Sequence, residues 1–303
     1  MTDRGQQPLD IGSLMARAER LTIKSRHLAQ SRYAGLYRSA FRGQGMEFVE
    51  VREYAEGDDV RLIDWNVSAR SQSLYVKRMA EERERNVLIL LDTSGSLAFG
   101  STGQSKFDLL TEVAALLVLA GFYAKDRVSL GFLRSKIESY IPPAKGPVHA
   151  ARLIREIVLQ KPAEGATDLE SAWRFLNAPC MPRSLVLLLT DFQAPLRGGH
   201  EFSVCCRKNE IVVLLVSDPR EWSLPIIGRI RLADLESGER CIINTSTREV
   251  RDHYSSNALK RRQESISFLE SSGVDWIELS TDAEYESKLR AFLESRHIRR
   301  MMH

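Results

Sequence analysis

The sequence contains few of the residue types that mark several special classes of protein. It has only 4 Cys and 10 Pro among 303 residues, with no C-x-x-C pair and no histidines clustered at zinc-ligand spacing. A metal–thiolate centre and a disulfide framework are therefore poor interpretations. We expect reduced, buried thiols at the four cysteines, Cys180, Cys205, Cys206 and Cys241.

The chain also lacks a marked excess of charge and a long hydrophobic run. Its 43 Lys plus Arg nearly balance 40 Asp plus Glu, so the net charge of +3 does not indicate a nucleic-acid or membrane partner. The first residues lack the apolar segment of a signal peptide, and the longest apolar stretch, residues 113–124, is shorter than a bilayer span. The composition, 43% hydrophobic and 27% charged, indicates a globular chain with a sizeable core, which we expect to be cytoplasmic.

Local charge is less even than the total. Residues 1–45 carry eight Lys or Arg against three Asp or Glu, a balance of +5, and apolar residues at helical spacing predict an amphipathic helix ending near Leu28. Residues 46–64 reverse the sign, with seven acids against two arginines, a balance of −5. The tail, residues 288–303, is again basic. This alternation indicates internal docking or a partner surface.

From residue 86 onward, apolar runs alternate with helical stretches, a pattern typical of a doubly wound, mostly parallel sheet covered by helices on both faces. The predicted strands are 86–92, 127–133, 184–191, 211–218 and 274–280, with a short edge strand near 136–141. The predicted helices are 105–124, 147–160, 168–177, 200–208, 255–272 and 283–295. A turn signal between two short apolar runs predicts an inserted β-hairpin at about 221–254. We divide the chain into an arm with a charged segment, 1–85, and an α/β domain, 86–303.

Oxygen-bearing side chains follow the predicted strands. Asp92, Ser94 and Ser96 form a D-x-S-x-S motif directly after the first core strand, Thr167 precedes a helix, and Asp191 ends a later strand. Open α/β sheets place their ligand crevice at such strand ends. Three hydroxyls and two carboxylates form an all-oxygen set that suits a hard divalent cation such as Mg²⁺, with one position left for an external carboxylate. The alternative for Asp92 and Ser96 is simple capping of the following segment.

These five residues resemble the metal-ion-dependent adhesion site (MIDAS) of von Willebrand factor type A domains. Further motifs upstream narrow the resemblance to a bacterial family called domain of unknown function fifty-eight. They include R-G-Q-G-M-E-F at 42–48, R-E-Y at 52–54, G-D-D-V-R at 57–61 and I-D-W at 63–65. The resemblance implies a von Willebrand factor A-like, Rossmann-like fold with an N-terminal extension and an inserted hairpin.

The resemblance also implies a function. In type A domains the serines and threonine bind the metal directly, the aspartates often act through water, and an acidic residue of the partner completes the shell. Carried over to this chain, it implies a non-enzymatic interaction module with Mg²⁺, or Mn²⁺ or Ca²⁺, at the five residues. The implied partner is a MoxR-type AAA+ ATPase, with other von Willebrand factor A-like proteins as further candidates, in chaperone-like maturation of other proteins.

The acidic segment carries a dense set of charges with aromatic residues between them. It is a candidate partner surface, or a latch of the arm onto the α/β body, formed by Glu47, Arg52, Asp58, Asp59, Arg61, Asp64 and Trp65. The alternative is architectural: Arg and carboxylates at this density commonly form bidentate pairs that fix a loop. In that interpretation Trp65 is a core anchor.

Two other classes of function are weaker. A Mg²⁺-dependent phosphohydrolase using Asp92 would need a second Asp where Ser94 stands, and no lysine occupies a convincing companion position. The segment 100–106 lacks phosphate-loop spacing, and the scattered histidines give no triad, so we assign no catalytic residue. The basic arm and tail could bind nucleic acid or an acidic surface, but no stacking aromatics accompany them.

Overall fold

The computed structural model describes residues 11–41, 46–71, 73–81, 84–193, 199–233 and 240–301. The strands are β1 Met46–Glu53, β2 Tyr75–Glu81, β3 Asn86–Asp92, β4 Arg127–Leu133, β5 Ile137–Ala144, β6 Leu185–Thr190, β7 Glu210–Ser217, β8 Arg229–Ala233, β9 Arg240–Asn244 and β10 Asp275–Ser280. The helices are α1 Ile11–Leu28, α2 Ala34–Ala40, α3 Trp65–Ser68, α4 Lys106–Ala124, α5 Pro147–Leu159, α6 Leu169–Asn177, α7 His200–Lys208, α8 Pro219–Trp222, α9 Arg248–Ser271 and α10 Tyr285–Met301.

In the described part of the chain, the main sheet has six strands in the order β10-β7-β6-β3-β4-β5. The strands pair in parallel except for β5, which runs antiparallel to β4 at one edge. Alternate side chains of β3 enter different cores: Val87, Ile89 and Leu91 face α4, α5 and α10, whereas Leu88 and Leu90 face α6, α7 and α9. Because both faces are covered, the inner strands are apolar throughout. The predicted mixed α/β fold with a mostly parallel sheet is confirmed.

The order of the strands sets the position of a crevice. From β3 the chain crosses through α4 to β4 on one side, and later reaches β6 on the other side of β3. The loops after β3 and β6 therefore leave the sheet in opposite directions, and open α/β sheets bind ligands at this kind of switch point.

The arm packs on the α/β body through apolar side chains. Helices α1 and α2, joined by a π-helical turn at Ala29–Tyr33, contact α4, α5 and α10. Leu21, Tyr37 and Phe41 are buried in the same core as α4. The main contacts of the described arm are therefore with helices of the body. The acidic segment contributes β1, which pairs with β2 to form a two-stranded appendage that also carries α3.

Helix α4 lies at the centre of one core. Among the described residues it is the helix that is long and apolar enough to cross a membrane, and 78% of its apolar window is buried inside the structure. Its length and composition are thus explained by packing against the sheet.

Some predicted boundaries and burials are wrong. The hairpin is limited to β8 and β9, and α9 begins at Arg248, seven residues before the predicted start. The thiols are all free, but Cys180 and Cys241 are exposed, Cys206 is half-buried and only Cys205 is buried. Position explains the difference, since Cys241 lies on the hairpin and Cys180 in the turn after α6.

A buried guanidinium joins the arm, the sheet and the last helix. Arg296 on α10 forms salt bridges with Glu210 and Asp275 at the amino ends of β7 and β10. Its Nε donates to the carbonyl of Ala40 at 3.2 Å, and its guanidinium lies 5.0 Å from the ring centroid of Phe41. Three separate parts of the chain therefore depend on one side chain.

We expect Arg296→Met to lower the free energy of unfolding by about 1.5–3 kcal/mol, because the half-buried carboxylates of Glu210 and Asp275 lose their buried partner and keep only more exposed arginines. Arg299→Met is the matched control: Arg299 pairs with the same Asp275 but is 58% exposed, so its loss should cost less than about 1 kcal/mol. Urea unfolding of both variants measures the difference. Equal losses of unfolding free energy in the two variants would show that burial of the Arg296 ion pairs does not add to stability.

Candidate metal centre at the ends of β3 and β6

The D-x-S-x-S motif forms a tight, buried turn after β3. Asp92 is fully buried, and its Oδ1 accepts a hydrogen bond from the backbone N–H of Ser94 at 2.9 Å. A 3₁₀ turn follows at Gly95–Ala98 and brings Ser96 back toward the strand end. The hydroxyls of Ser94 and Ser96 lie 3.2 Å apart. The local fold thus presents two hydroxyls beside one carboxylate.

Two threonines complete the surroundings of Asp92. Thr167, which precedes the first turn of α6, donates its hydroxyl to both carboxylate oxygens of Asp92 at 2.9 Å. Thr190, the last residue of β6, donates to Oδ2 at 2.6 Å. Asp92 is therefore the acceptor on which three segments of the chain converge.

Thr190 was not among the predicted site residues, although its position at the end of an apolar strand could have indicated it. In the parallel register, Leu90 of β3 lies beside Leu188 of β6. Two residues further along, on the same face, Thr190 reaches Asp92. Placing the two apolar runs side by side as parallel strands pairs Thr190 with Asp92.

Asp191 enters the site together with a buried lysine. Its side chain is 2% exposed and accepts a hydrogen bond from Lys106 Nζ at 2.6 Å. Lys106, at the start of α4, is 1% exposed and also forms a salt bridge with Glu221 on α8. The prediction that no lysine occupies a companion position is wrong. It failed because Lys106 is 85 residues from Asp191 in sequence and only the fold brings them together.

Electrostatics distinguish the two aspartates. Burial, followed by the negative charge of Asp191, raises the pKa of Asp92 to about 6. Burial lowers the pKa of the Lys106 ammonium, but Asp191 and Glu221 raise it by more, so the lysine is charged. Burial also raises the pKa of Glu221. Asp191 thus has an internal counter-ion, whereas Asp92 has only neutral donors.

The donor set fits a hard cation. Within the described residues, no three His, Cys, Asp or Glu side chains form a metal-binding group, so hydroxyls must supply part of any shell. Neighbouring ligands in a Mg²⁺ octahedron at about 2.0–2.1 Å lie about 3 Å apart, close to the separation of the Ser94 and Ser96 oxygens. Because Thr167 directs its proton to Asp92, the lone pairs of its hydroxyl remain available.

The charged residues of the appendage mostly satisfy one another. Arg52 forms a bidentate pair with Asp58 at 2.7 and 2.8 Å. Asp59 accepts from the backbone N–H and the Nε of Arg61, and Asp64 caps α3. These contacts agree with the architectural interpretation, in which paired arginines and carboxylates fix the loop.

Trp65 and Glu47 differ from the other residues of this set. Trp65 is 66% exposed, so the prediction of a core anchor is wrong. It opens the four-residue helix α3, none of whose residues is buried. Glu47 lies in β1, but its side chain is outside the described residues.

We expect Lys106→Met to lower the free energy of unfolding by about 3–5 kcal/mol in metal-free buffer, because two buried carboxylates lose their counter-ion. Added Mg²⁺ should restore part of this loss. Lys24→Met, which removes the exposed pair with Glu112, is the matched control and should cost less than about 1 kcal/mol. Chemical unfolding with and without Mg²⁺ measures both. Unchanged stability of Lys106→Met would contradict the counter-ion role.

The raised pKa of Asp92 predicts a pH-dependent stability difference between the wild type and Asp92→Asn. The folded-state pKa of about 6 exceeds the ordinary value of 3.8, so the stability contributed by the protonated carboxyl is complete below about pH 4 and is lost as pH rises through 6. Relative to Asp92→Asn, the wild type should lose up to about 3 kcal/mol between pH 4 and pH 7 in EDTA. Urea midpoints across this range test it, and parallel curves for the two proteins would refute it.

Comparison with known proteins gives relatives without an established function. Uncharacterised proteins of Mycobacterium tuberculosis and Mycobacterium bovis are 28% identical over 258 residues, which is 84% of this chain and 80% of theirs. Among solved structures, BatB of Bacteroides thetaiotaomicron covers 70% of this chain and 98% of its own, at 13% identity and a TM-score of 0.42. An aerotolerance-related membrane protein of Bacteroides fragilis gives 14% identity and the same TM-score of 0.42.

A family model covers most of the features described above. The model for the protein of unknown function DUF58 matches residues 50–264, from the middle of β1 to within α9. This range includes all five predicted metal ligands and the hairpin. Since the match spans more than half of the sequence, the chain belongs to the DUF58 family.

Proposed function

We propose that this protein is a non-enzymatic interaction module with a von Willebrand factor A-like fold, which binds an acidic residue of a partner through a divalent cation. The observation that carries the proposal is the convergence of three segments on the buried carboxylate of Asp92, which accepts from the backbone N–H of Ser94 and from the hydroxyls of Thr167 and Thr190. Asp92, Ser94, Ser96, Thr167 and Asp191 would hold the cation. Mg²⁺, or Mn²⁺ or Ca²⁺, would supply a Lewis-acidic position for a carboxylate of the partner.

The residues of the chain have distinct roles in this proposal. Asp92 orients the hydroxyl of Thr167 by accepting its hydrogen bond, and the backbone N–H of Ser94 fixes Asp92 in turn. Ser96 lines a cavity of about 980 Å³, so its side of the site is open to a partner. Asp191 has lone pairs beyond those used by Lys106, and it can bind a cation or its water.

The arrangement favours binding over hydrolysis. Asp92 would be the nucleophile of a phosphohydrolase, but its oxygens accept hydrogen bonds from Ser94, Thr167 and Thr190, which reduce their nucleophilicity. Lys106 is neutralised by Asp191 and Glu221 and so is not free to bind a phosphoryl group. We therefore propose a binding role, even though a lysine is present at the site.

We further propose a MoxR-type AAA+ ATPase as the partner, in maturation or chaperone-like remodelling of other proteins. The support for this partner is the family resemblance alone. We place the activity in the cytoplasm because the one apolar helix of spanning length in the described residues, α4, is occupied in the core.

We expect Ser96→Ala to weaken Mn²⁺ binding, followed by electron paramagnetic resonance, by at least about tenfold, because it removes one hydroxyl ligand. Ser203→Ala is the matched control, since Ser203 is an exposed serine on α7. Binding of the purified ATPase should weaken in parallel with metal binding and disappear in EDTA. Partner binding that persists in EDTA would contradict the metal bridge, and undetectable Mn²⁺ binding by the wild type would contradict the metal site.

A further inference from the structure

The cavity beside the candidate metal centre is lined in large part by segments that contain no proposed metal ligand. Ser96, Lys106 and Asp191 form one side of its lining, while α8, β8, β9 and α9 supply much of the rest. Its volume of about 980 Å³ is at the upper end for a ligand-binding pocket. The inserted hairpin therefore adds a second binding surface to the predicted metal site.

The hairpin strand β8 presents an apolar face to this cavity. Ile230 and Leu232 are half-buried and line it, whereas Arg229 and Arg231 alternate with them and are exposed. Neither Ile230 nor Leu232 belongs to a core of the α/β body. Their apolar surface is thus not required for folding of the body, and it remains available to a ligand.

Further apolar and aromatic surface extends from the hairpin toward the metal centre. Trp222 on α8, with Leu224 and Pro225 after it, lines the same cavity. The indole of Trp222 is held in place by Arg262, whose guanidinium lies 5.2 Å from the ring centroid. An aromatic side chain fixed at a partly open cavity is a common anchor in protein interfaces.

The charge of the cavity selects the chemistry of its occupant. Arg220, Arg240 and Arg261 line it, are exposed, and form no ion pair with any described residue. The other cations of the lining are neutralised, Lys106 by Asp191 and Glu221, and Arg262 by Glu278. Glu264 is the unpaired carboxylate of the described lining. The unpaired charge is therefore positive and complements an acidic ligand.

We propose that this groove binds a linear segment of the partner protein in which an acidic anchor residue is followed by apolar side chains with further acidic residues beside them. This rests on the proposed function, because the anchor carboxylate binds at the metal. The apolar side chains pack on Ile230, Leu232 and Trp222. The additional acids pair with the three arginines. The metal supplies a point of attachment, and the groove supplies selectivity for the segment.

The probe is a library of random peptides displayed on phage, selected on the wild-type protein in Mg²⁺. Selection should enrich peptides with acidic and apolar residues close together, and the best is then synthesised for fluorescence anisotropy. Leu232→Glu should weaken its binding by roughly tenfold or more, because a carboxylate enters an apolar, acid-binding surface. Arg231→Glu is the matched control on the opposite face of the same strand, and should change binding by less than about threefold.

The outcomes separate this inference from the proposed function. Loss of binding in EDTA and in Leu232→Glu, with little change in Arg231→Glu, supports both. Loss in EDTA without an effect of Leu232→Glu overturns the groove and leaves the metal site standing. Loss in Leu232→Glu with full binding in EDTA overturns the metal anchor, and the inference fails with the proposed function. Selection of no acidic, apolar peptide overturns the groove.

Discussion

Burial of the carboxylate of Asp92 at the carboxyl end of β3 is the constraint from which the rest of the site follows. A carboxylate without solvent contact is strongly destabilising unless hydrogen-bond donors surround it. Here the donors come from the turn after β3, from Thr167 two residues before α6, and from the end of β6. Each donor must lie level with Asp92 along the direction of the strands. The parallel register of β3 and β6 and the start of α6 are therefore tied to one side chain.

A second buried charge connects this centre to the insertion. Lys106 lies at the start of α4, which a capping box formed by Ser105 and Asp108 fixes. Its ammonium bridges Asp191 after β6 and Glu221 on α8, and Glu221 also closes a capping box with Asp218. The segment that leads into the hairpin is thus anchored by ionic contacts to the same place that would bind a metal. A change of charge at Asp191 therefore alters the ion pair of Lys106 with Glu221, which holds the segment leading into the hairpin.

Much of the fold was predictable because the inner strands are apolar over their whole length. The bounds of β3 and β4 match the predicted runs residue for residue, since burial on both faces leaves no ambiguity of register. The start of α9 was not predictable in this way. That helix is mostly exposed, with Ala258 and Leu269 as its buried residues, so it carries little periodic signal.

The candidate site was predictable in part for a related reason. Asp92, Ser94 and Ser96 are close in sequence, Asp191 follows a predicted strand, and Thr167 precedes a predicted helix. The contribution of Lys106 depends on a contact across 85 residues, and no local pattern marks a lysine that will be buried. The exposure of Trp65 was misjudged because an indole usually enters a core, and the sequence does not reveal that α3, the helix that carries it, has no buried residue.

The position of Arg296 has a consequence for the order in which the chain folds during synthesis. The central strands and α4 can associate as soon as they leave the ribosome, because their contacts are with nearby parts of the chain. The contacts of Arg296 with Ala40 and Glu210 span 256 and 86 residues, and they require α10. The arm is made before the sheet, but it lacks its contacts with Arg296 until α10 is made. A nascent chain halted before α10 would expose the part of α2 that packs on α10, and it would then be a substrate for chaperones and proteases.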